Sequence, residues 1–263
     1  MKMSLLQNAD AWLISLILFV GMMLMIGLGI KASKFIANRS KPANDIKKSS
    51  RDISSLNGLL FFLLAFTFGM SGARYESRRA LIVEEANDIG TALLRSDLYP
   101  DDERAAFQID FKEYLEARIA YFEEGTNLKG VLAADSLAQL ISSRLWHRAT
   151  WLAKDPLHLA ATQQMIPALN TMMDVATTRK TGEKSKVPET IVWMLLALAF
   201  ATSFYMGYVS VWKGKLDWIV ATGFCLLTSF VVFITLDLDR PRRGFITLNE
   251  ANQTIIDLRK NFE

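Results

Sequence analysis

The chain has 263 residues, 51% of them hydrophobic and 22% charged, with a mean hydropathy of +0.19, which excludes a disordered chain or one built to coat nucleic acid. A net charge of +3 gives no reason to expect a polyanion partner, and a single cysteine, Cys225, excludes a disulfide framework and a cysteine-based zinc or iron–sulfur site. With only His147 and His158 available as imidazoles, neither a bound metal nor a cofactor is expected.

The apolar residues are clustered. Residues 12–30 contain no charged side chain, enough to cross a hydrocarbon core that needs roughly 20 apolar residues. A secretory signal would have a shorter apolar region of about 7–15 residues after a basic start; here Lys2 alone precedes the run and Lys31 and Lys34 follow it. It is taken as a retained span, transmembrane helix 1. Residues 31–55 form a basic connecting loop. Residues 56–73 are the second run, bounded by Asp52 and Arg74. The third, 190–212, and the fourth, 216–236, are separated only by Lys213-Gly214-Lys215, so they form an antiparallel hairpin. In lipid only helices and closed barrels satisfy their own backbone, and runs this long are not barrel strands. The expected fold is an all-α integral membrane protein: two transmembrane helix pairs flanking a soluble helical insert, with the lipid bilayer as its first partner.

The insert, 74–189, is acid-leaning, with 18 acidic residues against 15 basic ones. Its apolar residues recur at helical spacing: Ile82, Ala86, Ile89, Leu93; then Phe107, Phe111, Tyr114, Ile119, Phe122; then Leu137, Ile141, Leu145, Leu152; then Met165, Leu169, Met172, Ala176. Tyr99-Pro100-Asp101-Asp102, the stretch 125–130, and Asp155-Pro156 punctuate the stripes. Four helices of about 20 residues are expected. Between the second span and the first insert helix the only breaker is the glycine-bearing stretch 69–72, so either one long helix over about 56–94 or a kink at 69–72 is expected. Residues 237–263 are a charged C-terminal segment.

The charge distribution leans toward an external insert without deciding it. The loop 31–55 carries seven Lys or Arg residues against two acids, which the positive-inside rule assigns to the cytoplasm together with Lys213 and Lys215, leaving the insert outside. Arg74, Arg78, Arg79, Arg179, Lys180, Lys184, Lys186, Arg240, Arg242 and Arg243 on the opposite side weigh against that assignment, and the side of the insert stays open.

Two groups of residues carry candidate chemistry. The fourth span ends Leu236-Asp237-Leu238-Asp239-Arg240-Pro241-Arg242-Arg243-Gly244, sharing a membrane face with Arg74, Arg78, Glu84 and Glu85. Charge near an apolar layer is costly unless paired or able to snorkel, so Arg74 or Arg78 is expected to pair with Asp237 or Asp239, and the Arg240, Arg242, Arg243 group to face Glu84 and Glu85; the alternative is that each side chain reaches water on its own. In the second span Phe62, Phe66 and Met70 recur every fourth residue. Contributed by several subunits, that stripe would form a constriction that gates by dewetting; the plainer reading is a lipid-facing or packing stripe.

Nothing in the sequence assembles a catalytic constellation, and no enzyme is expected. Neither Gly27-Leu28-Gly29 nor the stretch 125–130 completes a phosphate-cradling motif. The two histidines fall on helices among Trp146, Trp151 and Leu159. Adjacent carboxylates such as Glu84 and Glu85 point different ways on a helix.

Phe66-Thr67-Phe68-Gly69, the run Ala80-Leu81-Ile82-Val83-Glu84-Glu85-Ala86-Asn87-Asp88-Ile89-Gly90-Thr91, Arg95-Ser96-Asp97-Leu98-Tyr99-Pro100, and Leu236-Asp237-Leu238-Asp239-Arg240-Pro241 followed by Gly244 resemble the bacterial multi-pass membrane proteins labelled "bestrophin-like domain", a family without an assigned activity. The order of two spans, insert and two spans extends the resemblance over nearly the whole chain. The label implies similarity to bestrophins, pentameric anion channels whose second helix lines the pore and whose helical domain is cytoplasmic. Phe62 and Phe66 match the four-residue pore spacing, and Met70 stands where another aromatic is expected. No run of acids follows Pro241, so the resemblance does not extend to a calcium clasp. The resemblance implies an oligomeric inner-membrane protein, a pentamer if bestrophin-like, that conducts ions; the alternative is a non-conducting membrane scaffold or sensor whose insert binds a ligand or partner.

Overall fold

A computed structural model describes residues 9–37, 46–211 and 216–262, without the side chains of 46–53. Every regular element among these residues is a helix: α1 (Ala11–Ala37), α2 (Ile46–Arg95), α3 (Asp101–Glu123), α4 (Leu128–Leu152), α5 (Leu159–Lys184), α6 (Glu189–Ser210), α7 (Trp218–Leu238) and α8 (Asn249–Ile256), with short 3₁₀ turns at Ser96–Leu98, Pro156–His158 and Asp257–Phe262. Trp212 and the Lys213-Gly214-Lys215 turn, like Arg39 and Lys41 of the basic connection, lie outside the described residues. Four helical stretches long and apolar enough to cross a membrane fall within Ala11–Ile36, Ser54–Leu98, Pro156–Ser210 and Trp218–Leu238. The helix α2 runs unbroken through Gly69 and Gly72 from Ile46 to Arg95.

The chain divides into two compact units. The first comprises Met1–Arg74 and Lys186–Arg240. In it α1 packs along α6 and α7, burying Leu18, Met22, Ile26, Leu195, Ala199 and Cys225, and α2 contributes Leu60 and Leu64 to the same core. The α1–α6 crossing is backbone on backbone. A Cβ at Gly29 would collide with the Phe204 carbonyl, and one at Gly207 with the Ile26 carbonyl; small residues allow this close approach where lipid supplies no hydrophobic drive. The start of α7 is fixed by Asp217, whose carboxylate accepts from the N–H groups of Ile219 at 2.9 Å and Val220 at 3.3 Å, satisfying donors that the first turn of a helix leaves open.

The second unit comprises Tyr75–Ser185 and Pro241–Glu263. Its main core joins Ile89 and Leu93 of α2 with Phe107, Phe111 and Tyr114 of α3, Ile141, Leu145 and Leu152 of α4, and Met165, Leu169 and Met172 of α5. The stripes expected on α2, α3 and α5 hold their places, but Leu137 is 48% exposed. The α4 face turns on Ala134 and Ala138 instead, because one step of 100° separates position 137 from 138. Gly125, at φ +51, links α3 to α4, a left-handed backbone that glycine adopts without steric cost. From Pro241 on, the charged C-terminal segment is a structural part of this unit: Leu248, Ala251 and Ile255 bury against Ile82, Ala86, Leu115 and Ile119.

Candidate functional site

The membrane-compatible part of α2 has two faces. Leu60, Leu64, Thr67 and Ser71 are buried, while Phe61, Phe62, Phe66 and Phe68 are exposed. The rings of Phe62 and Phe66 stack with centroids 6.4 Å apart and are 65% and 52% exposed; Met70 is half-buried. Phe61 turns the other way, meeting Phe224 of α7 edge-on at 6.1 Å. Thus Phe62 and Phe66 form an exposed stripe among the described residues.

At the end of the same unit the Arg74 guanidinium lies 3.9 Å from the Asp239 carboxylate. The other oxygen of Asp239 accepts from the Val187 backbone N–H at 2.7 Å, tying the entry of α6 to the exit of α7. Asp237 is also buried, and Arg240 donates to the Ala9 carbonyl.

Arg78 also serves a helix end. In the second unit it donates to the carbonyls of Ser185 at 2.8 Å and Gly182 at 3.5 Å, where the C-terminus of α5 leaves acceptors and the negative end of its dipole. Of the Arg240, Arg242, Arg243 group expected to face Glu84 and Glu85, Arg242 has another acidic partner in this unit. Glu84 and Arg243 are exposed. Arg242 reaches Glu183 at 3.0 Å and the Tyr121 carbonyl at 3.0 Å, with its guanidinium over the Tyr121 ring. Replacing Arg242 by Met is expected to cost about 2 kcal/mol of stability, read as a lower thermal midpoint of the purified protein.

Glu85 lies at the centre of the second unit with no exposed surface. One carboxylate oxygen accepts from Arg118 Nε and the other from Arg179 Nη1 at 2.7 Å. Arg179 in turn donates to Asn252 of α8 at 3.0 Å and lies 3.6 Å from the centroid of the Phe122 ring, so α2, α3, α5 and α8 meet at one carboxylate. Burial alone would push the Glu85 carboxyl up, but the two guanidiniums outweigh it and hold it below its ordinary range. Arg118 and Arg179, neither of them a site candidate by sequence, carry a helical signal. Arg118 is four residues after Tyr114 and Arg179 seven after Met172, both in register with buried stripes.

The family model of the Bestrophin-like domain matches residues 46–252. No protein of curated function and no solved structure matches the chain. The matched stretch takes in both the exposed Phe62/Phe66 stripe and the Glu85 cluster with its Asn252 partner, and the chain belongs to the bestrophin-like family.

Proposed function

We propose that this protein assembles as a homo-oligomer, a pentamer in bestrophin fashion, in a bacterial inner membrane and conducts anions through a pore lined by Phe62 and Phe66 of α2. The observation that carries the reading is the α2 stripe: two stacked rings more than half exposed on a helix whose opposite stripe is buried in its own unit. Four membrane helices from one subunit do not enclose an aqueous path, so conduction requires several copies, and copies arranged around α2 would turn these rings into a constriction of the kind that gates by dewetting. Leu94, Leu98, Ile109 and Leu157 of the second unit are also large, apolar and exposed, the kind of surface that marks an association face.

Native mass spectrometry in detergent followed by chloride efflux from proteoliposomes tests the proposal. The expected result is a pentamer whose efflux exceeds that of empty vesicles and rises severalfold in a Phe62→Ala, Phe66→Ala double variant. A monomer or dimer, or vesicles no leakier than controls across pH, would overturn it.

A further inference from the structure

We propose that a cavity between α3, α4 and α5 of the second unit is a binding site for a small hydrophilic anion whose carboxylate or phosphate head engages Arg118 and Lys180. The cavity measures about 290 Å³, is open to the surface and has the partly exposed Lys180 in its wall; its size is near the lower end of that of small-molecule pockets, roughly 300–1,000 Å³. Arg118 lines it while being only 2% exposed. The Nε of this guanidinium is committed to Glu85, whereas its Nη2 is buried and has no hydrogen-bond partner among the described residues. A buried charged donor left unsatisfied is costly, and an acceptor arriving through the cavity would remove that cost.

The charge around the site has a definite sign. Glu85 is shared by two guanidiniums, Arg118 and Arg179, and Asp135 at the cavity wall is held by Lys180 and by Gln139 at 3.1 Å. Three cations therefore face two carboxylates, and the excess is positive. The remaining wall presents acceptors. Ser142 and Ser143 donate their hydroxyl protons to the Gln139 carbonyl at 3.0 and 2.9 Å, and Thr177 donates to the Met173 carbonyl at 3.0 Å. With those protons spent within their own helices, the hydroxyl oxygens offer lone pairs. The arrangement suits a molecule with an anionic head and hydroxyl or amino groups behind it, rather than a bare halide, which would use the cationic pole alone. It is a site separate from the α2 stripe, and it stands whether or not the protein conducts.

The test is isothermal calorimetry and thermal melting of the full-length protein in detergent, at constant ionic strength set with sodium chloride, against inorganic phosphate, succinate and glutamate. At least one of the three is expected to bind saturably and raise the midpoint as ligand linkage requires; the arms distinguish a phosphate from a carboxylate head. Lys180→Met should weaken that binding about tenfold, the loss of one charge-assisted hydrogen bond. Thr177→Phe, on the exposed rim and outside the Glu85 cluster, should abolish it without lowering the midpoint of the free protein. Arg118→Lys keeps the charge and removes Nη2; if it does not fold, the other two variants still decide. Binding by none of the three anions beyond the chloride baseline, or binding unchanged in both Lys180→Met and Thr177→Phe, would overturn the proposal. Chloride efflux plays no part in these readouts, so a failed channel leaves them intact.

Discussion

Replacing Glu85 by alanine is expected to destabilise the second unit by about 3–5 kcal/mol, the cost of leaving buried charge without its partner. The carboxylate has no exposed surface, and the Arg118 and Arg179 side chains that would be stranded are 3% and 5% exposed. Glu85→Gln keeps the shape and loses the charge, so it should lie between alanine and wild type. A triple variant, Glu85→Leu with Arg118→Met and Arg179→Met, is expected to recover most of the loss, since a buried ion cluster contributes little net stability against well-packed apolar replacements. The pH dependence follows in sign. A carboxyl whose folded pKa is depressed contributes stability that is fully present above its unfolded value, about 4.3, and that is lost as pH falls through the lower folded value. Melting in detergent should therefore be insensitive to this group from about pH 7 to 5 and fall below about pH 4, with Glu85→Gln lacking that component of the acid loss. An alanine variant that melts with the wild type would remove Glu85 from this role.

The positions that periodicity could reach and those that it could not separate cleanly around this cluster. Ile82, Ala86, Ile89 and Leu93 mark a stripe in the sequence, and Glu85 falls inside it, three residues after Ile82 and four before Ile89. Glu84, one residue earlier, is rotated out by 100° and is exposed. The stripe thus contains the register that buries one of the two adjacent acids, which the sequence reading treated alike, but spacing along one helix says nothing of which helices supply its counter-charges. Arg118, Arg179 and Asn252 lie 33, 94 and 167 positions away from Glu85 in the chain, and only the packing of α3, α5 and α8 brings them there. Proximity to the membrane edge was a poorer guide. It drew Arg242 toward Glu84 and Glu85, whereas the guanidinium is used by Glu183 and the backbone at the end of α3.

The long apolar runs were legible because bilayer thickness imposes a length that few other causes produce. The continuity of α2 was not, since Gly69 and Gly72 lower helix propensity by an amount too small to decide the matter: about 1 kcal/mol each relative to alanine, against the hydrogen bonds of a 50-residue helix. Among the described residues neither glycine has a packing neighbour within 4 Å of where a Cβ would stand, so no close approach there requires glycine.

The opposite case gives the second large expected effect. Gly29→Ala and Gly207→Ala should each disrupt the first unit, because the introduced methyl would meet a carbonyl and not a movable side chain. The two contacts are reciprocal. Gly29 of α1 faces the Phe204 carbonyl of α6, and Gly207 of α6 faces the Ile26 carbonyl of α1, three residues apart on each helix. At such a crossing the Cα–H groups lie close to carbonyl oxygens, and each contact of that kind contributes about 0.5–1 kcal/mol. A side chain forces the helices apart over the whole seam of Leu18, Met22 and Ile26, so the loss exceeds the local clash, at about 3 kcal/mol or more. Gly27, two residues earlier on α1, has nothing within 4 Å of a Cβ position, and Gly27→Ala should be neutral or slightly stabilising as a better helix former. Melting of the three variants in the same detergent reads the difference. Equal midpoints for Gly27→Ala and Gly29→Ala would show that the seam tolerates a methyl, and the backbone contact of α1 with α6 could not then be what fixes this pair of helices in the bilayer.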